Sequence, residues 1–303
     1  MTATLLVGAL VLDALVGEPD ALWRRVPHPA VLMGRLIGWC DGRFNRGGQR
    51  RARGVAVILT LVAGAWGLGA IVAALPFGPV LEMLAAAVLL AQKSLVQHVA
   101  AVADALRLSL DDGRRSVAMI VGRDTSGMDQ PAVARAAIES AAENLSDGVI
   151  APALWFLVAG LPGILAYKLL NTADSMIGYR TERHRDFGWA AARLDDVANW
   201  VPARLTAALI AAAHLAPSAW AVIRRDARLH RSPNAGWPEA AMAAVLGIAL
   251  SGPRSYDGQL RDYPFVNPDG RRNLSAADVD RATSALWRSW ALFVVIVTMI
   301  AVV

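Results

Sequence analysis

The chain has 303 residues, of which 55% are hydrophobic and only 18% charged. A soluble globular domain carries about 25% charged residues, so this composition argues against an ordinary soluble domain and for a protein embedded in a membrane. The formal charge of +5 comes from 30 basic and 25 acidic residues, and a single cysteine, Cys40, excludes an intrachain disulfide and a cysteine-built zinc site.

Only Lys93 and Lys168 are lysines; the other basic residues are arginines. They cluster beside apolar segments, which fits the positive-inside pattern of membrane proteins better than a nucleic-acid footprint. Residues 1–17 are apolar apart from Thr2, Thr4 and Asp13, lack a basic leader, and read as a retained helix that could just span. Residues 18–53 are polar and end in arginines at 43, 46, 50, 51 and 53. Residues 54–75 hold no charge and predict the clearest transmembrane helix, with Gly64, Gly67 and Gly69 predicting close approach by a neighbour.

Residues 77–102 predict a span with an amphipathic extension, interrupted by Glu82, Lys93 and His98. In the polar stretch 103–148, Pro131 opens a helix that runs through Arg135 and Glu139. Residues 149–170 are long enough to span but contain Pro152, Gly160, Pro162, Gly163 and Lys168. A full crossing there would put 171–200 on the opposite side of the membrane from 103–148. A broken or re-entrant pair bent at Leu161-Pro162-Gly163 is therefore expected, because irregular backbone is tolerated at membrane depth inside protein. Residues 201–223 are apolar, 224–285 polar around a short apolar helix near 239–250, and 286–303 predict a last span.

The expected fold is all-α: a polytopic integral membrane protein with about four to six membrane helices, some broken or re-entrant. One membrane-embedded domain covers 1–303, and the polar segments 18–53, 103–148, 171–200 and 224–285 form the site.

Three segments carry candidate chemistry. On a helix, Arg135, Glu139, Glu143 and Asp147 make one stripe at intervals of four. Three acids against one base leave surplus negative charge at the mouth of an apolar run, where an unpaired carboxylate is costly; a metal ion or a cationic substrate would settle it. In 167–204, Asn171 lies one turn from Asp174, and Asp195, Asp196 and Asn199 form DDxxN. Such hard oxygen ligands suit Mg2+, which commonly takes one or two carboxylates plus substrate phosphates. Lys168, Arg180, Arg193 and Arg204 could grip those phosphates. In 228–239, Ser232-Pro233-Asn234-Ala235-Gly236 is a turn whose Ser232 and Asn234 either cap a helix or bind substrate. Glu239 sits at a helix start, where the dipole favours an acid. His98, His184, His214 and His230 show no metal-ligand spacing and read as structural or solvated, and His28, between prolines, reads as a turn. No GxxxxGK[ST] is present, so a P-loop does not hold any nucleotide.

These segments, taken together, resemble the adenosylcobinamide-phosphate synthase family of cobalamin biosynthesis, CobD/CbiB. The matching pieces are LDALVGEPD with HPAVLMGRLI, VGRDTSGMD, AIESAAENLSDGVIAPALWF, GILAYKLLNTADSMIGYR, FGWAAARLDDVANWVPARLTA and SPNAGWPEAAMAAVLGIALSGPRSYDG. One departure is MAAVLGIALSGP, where the family pattern leads one to expect glycine at 244 and a Gly-Gly pair at 251–252. That departure touches no obvious catalytic group.

The resemblance implies a membrane enzyme that joins adenosylcobyric acid to (R)-1-amino-2-propanol phosphate, or to the free amino alcohol, in an amide, consuming ATP. The chemistry then suggests roles: Asp174, Asp195 and Asp196, with Asn171 and Asn199, hold Mg2+–ATP; Arg123, Lys168, Arg193 and Arg204 contact phosphates; Glu139 or Glu143 binds and deprotonates the amine. Asp124, Asn144, Asp147, Ser232 and Asn234 join the substrate-binding candidates. The bilayer is a partner, with a homo-oligomer or other corrinoid-pathway enzymes left open. The inner membrane is the expected location, with the site facing the cytoplasm. Alternatives are an intramembrane Mg2+-dependent prenyltransferase and a non-enzymatic corrinoid carrier or scaffold.

Overall fold

A computed structural model describes residues 1–256 and 259–303. In chain order the helices are α1 (Thr2–Val16), α2 (Asp20–Trp23), α3 (Pro29–Phe44), α4 (Arg50–Ala73), α5 (Gly78–Leu89), α6 (Gln92–Leu108), α7 (Leu110–Ala118) and α8 (Gln130–Asn144). A π-helical turn at Leu145–Ile150 leads into α9 (Ala151–Ile177), followed by α10 (Trp189–Ala198), α11 (Trp200–Ala213), α12 (Ala219–Asp226), α13 (Gly236–Leu246) and α14 (Ala276–Val302). Helices account for 73% of the residues, so the fold class is all-α. The strands among the described residues form two small antiparallel ladders, β1 (Leu250–Ser251) with β4 (Phe265–Val266) and β2 (Arg254–Tyr256) with β3 (Gln259–Arg261). Asp257 and Gly258, the end of the SGPRSYDG motif, lie outside the described residues.

Among the described residues four helical stretches are long and apolar enough to cross a membrane: Arg50–Ala73, Gly78–Leu108, Gln130–Ile177 and Ala276–Val302. The protein is an all-α polytopic membrane protein. Only 11% of the apolar window of α4 is buried in protein, which leaves most of its surface, including Leu59, Trp66, Leu68 and Ile71, for lipid.

The chain divides into two compact units. The first comprises Met1–Ala91, Val149–Trp200 and Val297–Val303; the second comprises Gln92–Gly148 and Val201–Ile296.

In the first unit α4 and α10 pack on α9, around a core that includes Ile37, Ile58, Leu170, Ile177 and Phe187. Glycine is required at two contacts. A Cβ on Gly54 would stand 2.0 Å from the Phe187 carbonyl oxygen, and one on Gly69 would stand 2.6 Å from the Pro162 backbone. Gly64 and Gly67 face open space, so of the three glycines expected to admit a neighbour only Gly69 does. His28 caps α3, its Nδ1 accepting from the Ala30 N–H at 3.2 Å, as its place between prolines suggested.

The break in α9 is real but lies earlier than Leu161-Pro162-Gly163. Ala159 (φ −138°) and Gly160 (φ 61°, ψ −151°) leave the helical region. The second half begins just afterwards, and the Leu161 N–H freed by the break donates to Glu82 Oε2 at 3.1 Å. Glycine is favoured at 160 because an L side chain rarely adopts that backbone. Glu82, an interruption in the sequence, thus caps the second half-helix, where a carboxylate is favoured.

In the second unit α8 packs on α6, α7 and α13. Asp129 caps α8, its Oδ1 accepting from the Ala132 N–H at 2.9 Å, with Pro131 in the first turn, as the sequence predicted.

Candidate active site

The second unit holds a buried ionic cluster on α8. Glu139 is 4% exposed. Its Oε2 accepts from Arg123 Nη2 at 2.6 Å; its Oε1 accepts from the Ser251 N–H at 2.6 Å and lies 3.4 Å from Arg254 Nη2. Arg254 in turn donates to Ser251 Oγ at 2.8 Å. Both oxygens of Glu139 are therefore engaged, by partners that the helical stripe could not reveal: a loop before α8 and the β-ladder after α13. The surplus charge expected on the stripe is largely met from outside the helix.

Ser251, where the family pattern leads one to expect glycine, meets the candidate residue Glu139. It adopts φ 61°, a conformation that favours glycine, while its N–H and hydroxyl bind Glu139 and Arg254.

One turn on from Glu139, Glu143 and Asn144 are exposed. Asn144 Nδ2 donates to the Ser140 carbonyl at 2.9 Å. Arg231, Glu139, Arg254 and Arg123 act electrostatically on Glu143. The stripe does not continue regularly to Asp147, because the π turn begins at Leu145 and its wider winding changes the angular step. Such turns recur at functional sites. Asp124 is tied to β2: its N–H donates to the Ser255 carbonyl at 3.3 Å and its Oδ2 accepts from Ser255 Oγ at 3.1 Å.

The Ser232 turn is a structural cap, its Oγ accepting from the N–H groups of Asn234 and Ala235 at 3.2 and 3.3 Å. Asn234 is buried and accepts from Arg204 Nη1 at 3.2 Å, and the Arg204 guanidinium lies 4.5 Å from the Trp237 ring centre. The sequence reads His230 as structural or solvated and gives Glu239 only a helix-start role. Both stand beside this cluster, with His230 Nε2 3.6 Å from Glu239 Oε1. No spacing rule signals this pair; only the fold brings it to α8.

The first unit holds a second polar cluster, where α9 meets α10. Asp195 is buried. Its Oδ1 accepts from Asn171 Nδ2 at 3.3 Å and its Oδ2 from Asn199 Nδ2 at 2.9 Å. Tyr167 donates to Asn199 Oδ1 at 2.8 Å. Burial pushes the Asp195 carboxyl up to about 6, against the pull of the two amides. Asp196 points to Arg193, at 3.4 Å, and Asp174 stands one turn from Asn171 on α9. Lys168 is half-buried on the same helix, its carbonyl accepting from Thr172 Oγ1 at 2.7 Å.

Does this set fit Mg2+? Among the described residues no three His, Cys, Asp or Glu side chains are grouped to hold a metal. The Asn199 oxygen, the atom that would ligate, is already engaged by Tyr167. Yet Asp195 is a buried carboxylate whose partners are amides, with no ion-paired base among the described residues, and a buried acid in that position calls for a cation. Among the described residues the protein alone therefore offers no three-carboxylate site: Asp195, beside Asn171, is the acid that a cation carried by substrate phosphates would meet, Asp196 is turned to Arg193, and Asn199 fits as a positioning residue.

The fold and these two clusters define a class: a polytopic all-α membrane protein with carboxylate–amide and carboxylate–arginine sites buried beside its apolar helices. A family model described as CobD/Cbib protein matches residues 6–286, and the chain belongs to that family. It is 52% identical over 300 residues to a cobalamin biosynthesis protein CobD of Sinorhizobium fredii, covering 94% of this chain and 92% of that one. It is 51% identical to the protein of the same name from Brucella anthropi over 301 residues, with the same coverage. For that of Rhodobacter capsulatus the identity is 46% over 314 residues, covering 99% and 98%. No solved structure matches the chain.

Proposed function

We propose that this protein acts in cobalamin biosynthesis as a carbon–nitrogen ligase, joining adenosylcobyric acid to (R)-1-amino-2-propanol phosphate, or to the free amino alcohol, to give adenosylcobinamide phosphate or its unphosphorylated counterpart. Family membership supports the pathway. The observation that carries the chemistry is the α8 cluster: Glu139 committed to Arg123 and the Ser251 N–H, with Glu143 open to solvent one turn away. That arrangement offers a carboxylate to an ammonium group beside fixed positive charge suited to an anion.

A carboxylate is a poor electrophile, so Mg2+ and ATP would supply its activation as an acyl phosphate. Asp195, Asp196, Asp174 and Asn171 would hold the ion, Asn199 and Tyr167 would orient Asp195, and Lys168 and Arg193 would contact phosphates. In the second unit Glu143 receives the ammonium and Glu139 fixes Arg123 and Arg254 in place. Asp124 steadies β2, while Arg204, held by Asn234, presents positive charge; Asn144 stands next to Glu143 at the end of α8, and Asp147 is kept as a substrate-binding candidate from the sequence.

The arginines at 43–53 support an inner-membrane location with the site on the cytoplasmic side. The test is ATP hydrolysis by the purified protein. Hydrolysis that requires both adenosylcobyric acid and the amine supports the ligase. Turnover without ATP would support a prenyl donor, which is already activated, and no turnover with corrinoid bound would support a carrier.

A further inference from the structure

Glu239 opens the first turn of α13 and is 1% exposed. One of its oxygens, Oε2, has no hydrogen-bond partner. The other faces His230 Nε2 at 3.6 Å. His230 Nδ1 accepts from the Ser232 N–H at 3.0 Å, which leaves the imidazole proton on Nε2, toward Glu239. A second polar atom is orphaned in the same cluster: Arg123 Nε, on a side chain only 8% exposed. An unpaired buried acceptor and an unpaired buried donor, close to one another's charges, are costly unless something binds there.

The charges acting on Glu239 are Glu139 and Glu143 of α8, Arg254 of β2, and Arg123. Burial holds its carboxyl well above the usual carboxylate range, and the Glu139 charge pushes it the same way. Burial also lowers the His230 imidazole to about 4, helped by Arg254 and Arg231. Both shifts favour the uncharged forms, a carboxylic acid beside an imidazole. Glu139 has both oxygens engaged by Arg123 and the Ser251 N–H.

We propose that Glu239 is the proton acceptor for the amine substrate, and that the arriving ammonium itself ionises it. This rests on the ligase reading above. The ammonium enters against Glu143. Its positive charge supplies the counter-charge that Glu239 lacks, and Glu239 releases its proton to solvent. The resulting carboxylate takes one proton from R–NH3+. The freed nitrogen lone pair attacks the acyl phosphate carbon; the C–N bond forms, the C–O bond to phosphorus breaks, and the second nitrogen proton leaves with phosphate as HPO4 2−. Glu239 ends as the neutral acid, its resting form. A base raised toward the proton affinity of an amine suits this step better than an ordinary carboxylate.

The test uses the full chain in detergent with 1-amino-2-propanol phosphate and no ATP, so that only binding occurs. Titration calorimetry in buffers of different ionisation heat at pH 7 counts protons. The expected result is release of about one proton per amine bound by the parent and about none by Glu239→Gln. Glu143→Gln binds more weakly but still releases the proton. In parallel, infrared difference spectra of the parent alone, which need no variant to fold, lose a buried protonated-carboxyl band when the amine binds. Equal proton release by the parent and Glu239→Gln, or no loss of that band on binding, overturns the assignment and leaves the ligase intact. Failure of the amine to bind the folded parent overturns the ligase reading and this inference with it.

Discussion

Arg123 Nη2 lies 2.6 Å from Glu139 Oε2, and both side chains are more than nine-tenths buried. A buried pair of this kind fixes geometry, and removing one partner strands the other's charge. Arg123→Ala and Glu139→Ala should each lower stability by about 3–5 kcal/mol, read as a lower unfolding midpoint in detergent. Glu143→Gln, on an exposed side chain, should leave the midpoint unchanged and raise KM for the amine about tenfold or more, as expected for loss of a charge-assisted contact. Equal stability in all three variants would show that the Glu139 cluster does not anchor the site.

Asp195 gives the pH signature of the first unit. Its folded value, about 6, lies above the ordinary 3.8. The sign follows: an acid raised on folding contributes stability that is fully present below 3.8 and lost as pH rises through 6. The difference is roughly 3 kcal/mol between those limits. Asp195→Asn should therefore gain stability relative to the parent as pH rises from 4 to 7, by about that amount. On the proposed reading, Mg2+–ATP should raise the melting temperature of the parent and not that of Asp195→Asn. A pH-independent difference between the two proteins would contradict the burial argument.

The approach of α4 to α9 is decided at one glycine. Gly69→Ala should cost about 1–3 kcal/mol by overpacking, because its Cβ would fall 2.6 Å from Pro162. Gly64→Ala, facing open space, should be neutral or gain up to about 1 kcal/mol in helix propensity. Thermal unfolding of the two variants compares them directly.

Topology can be checked with one label. Cys40 is the only cysteine and is buried, so Cys40→Ala with Glu182→Cys gives a single reporter in the 171–200 segment. A cytoplasmic site predicts that a membrane-impermeant thiol reagent labels it only after the cells are opened. Labelling in intact cells would place that segment outside.

The helices were largely readable because their signals are local. Asp129 with Pro131 marks the start of α8, and the uncharged run after Arg53 marks α4. The broken α9 was visible in Gly160, Pro162 and Gly163, yet the bend fell at Ala159–Gly160, where a positive φ and the distant Glu82 carboxylate combine. Glu143 and Asp195 stood out from their spacing. Their neighbours did not: the partners of Glu139 come from a loop and a β-ladder, and Tyr167 reaches Asn199 across 32 residues. Ser251 and the His230–Glu239 pair were hidden for the same reason, since no helical period joins α8 to chain so distant in sequence.

The most direct measurement mixes the purified protein with adenosylcobyric acid, Mg2+, ATP and aminopropanol phosphate, and looks for the amide by mass spectrometry. The ligase account predicts product only when ATP is present, and its loss in Asp195→Asn and Glu239→Gln. Corrinoid binding by the folded protein with no product under any of these conditions would contradict it.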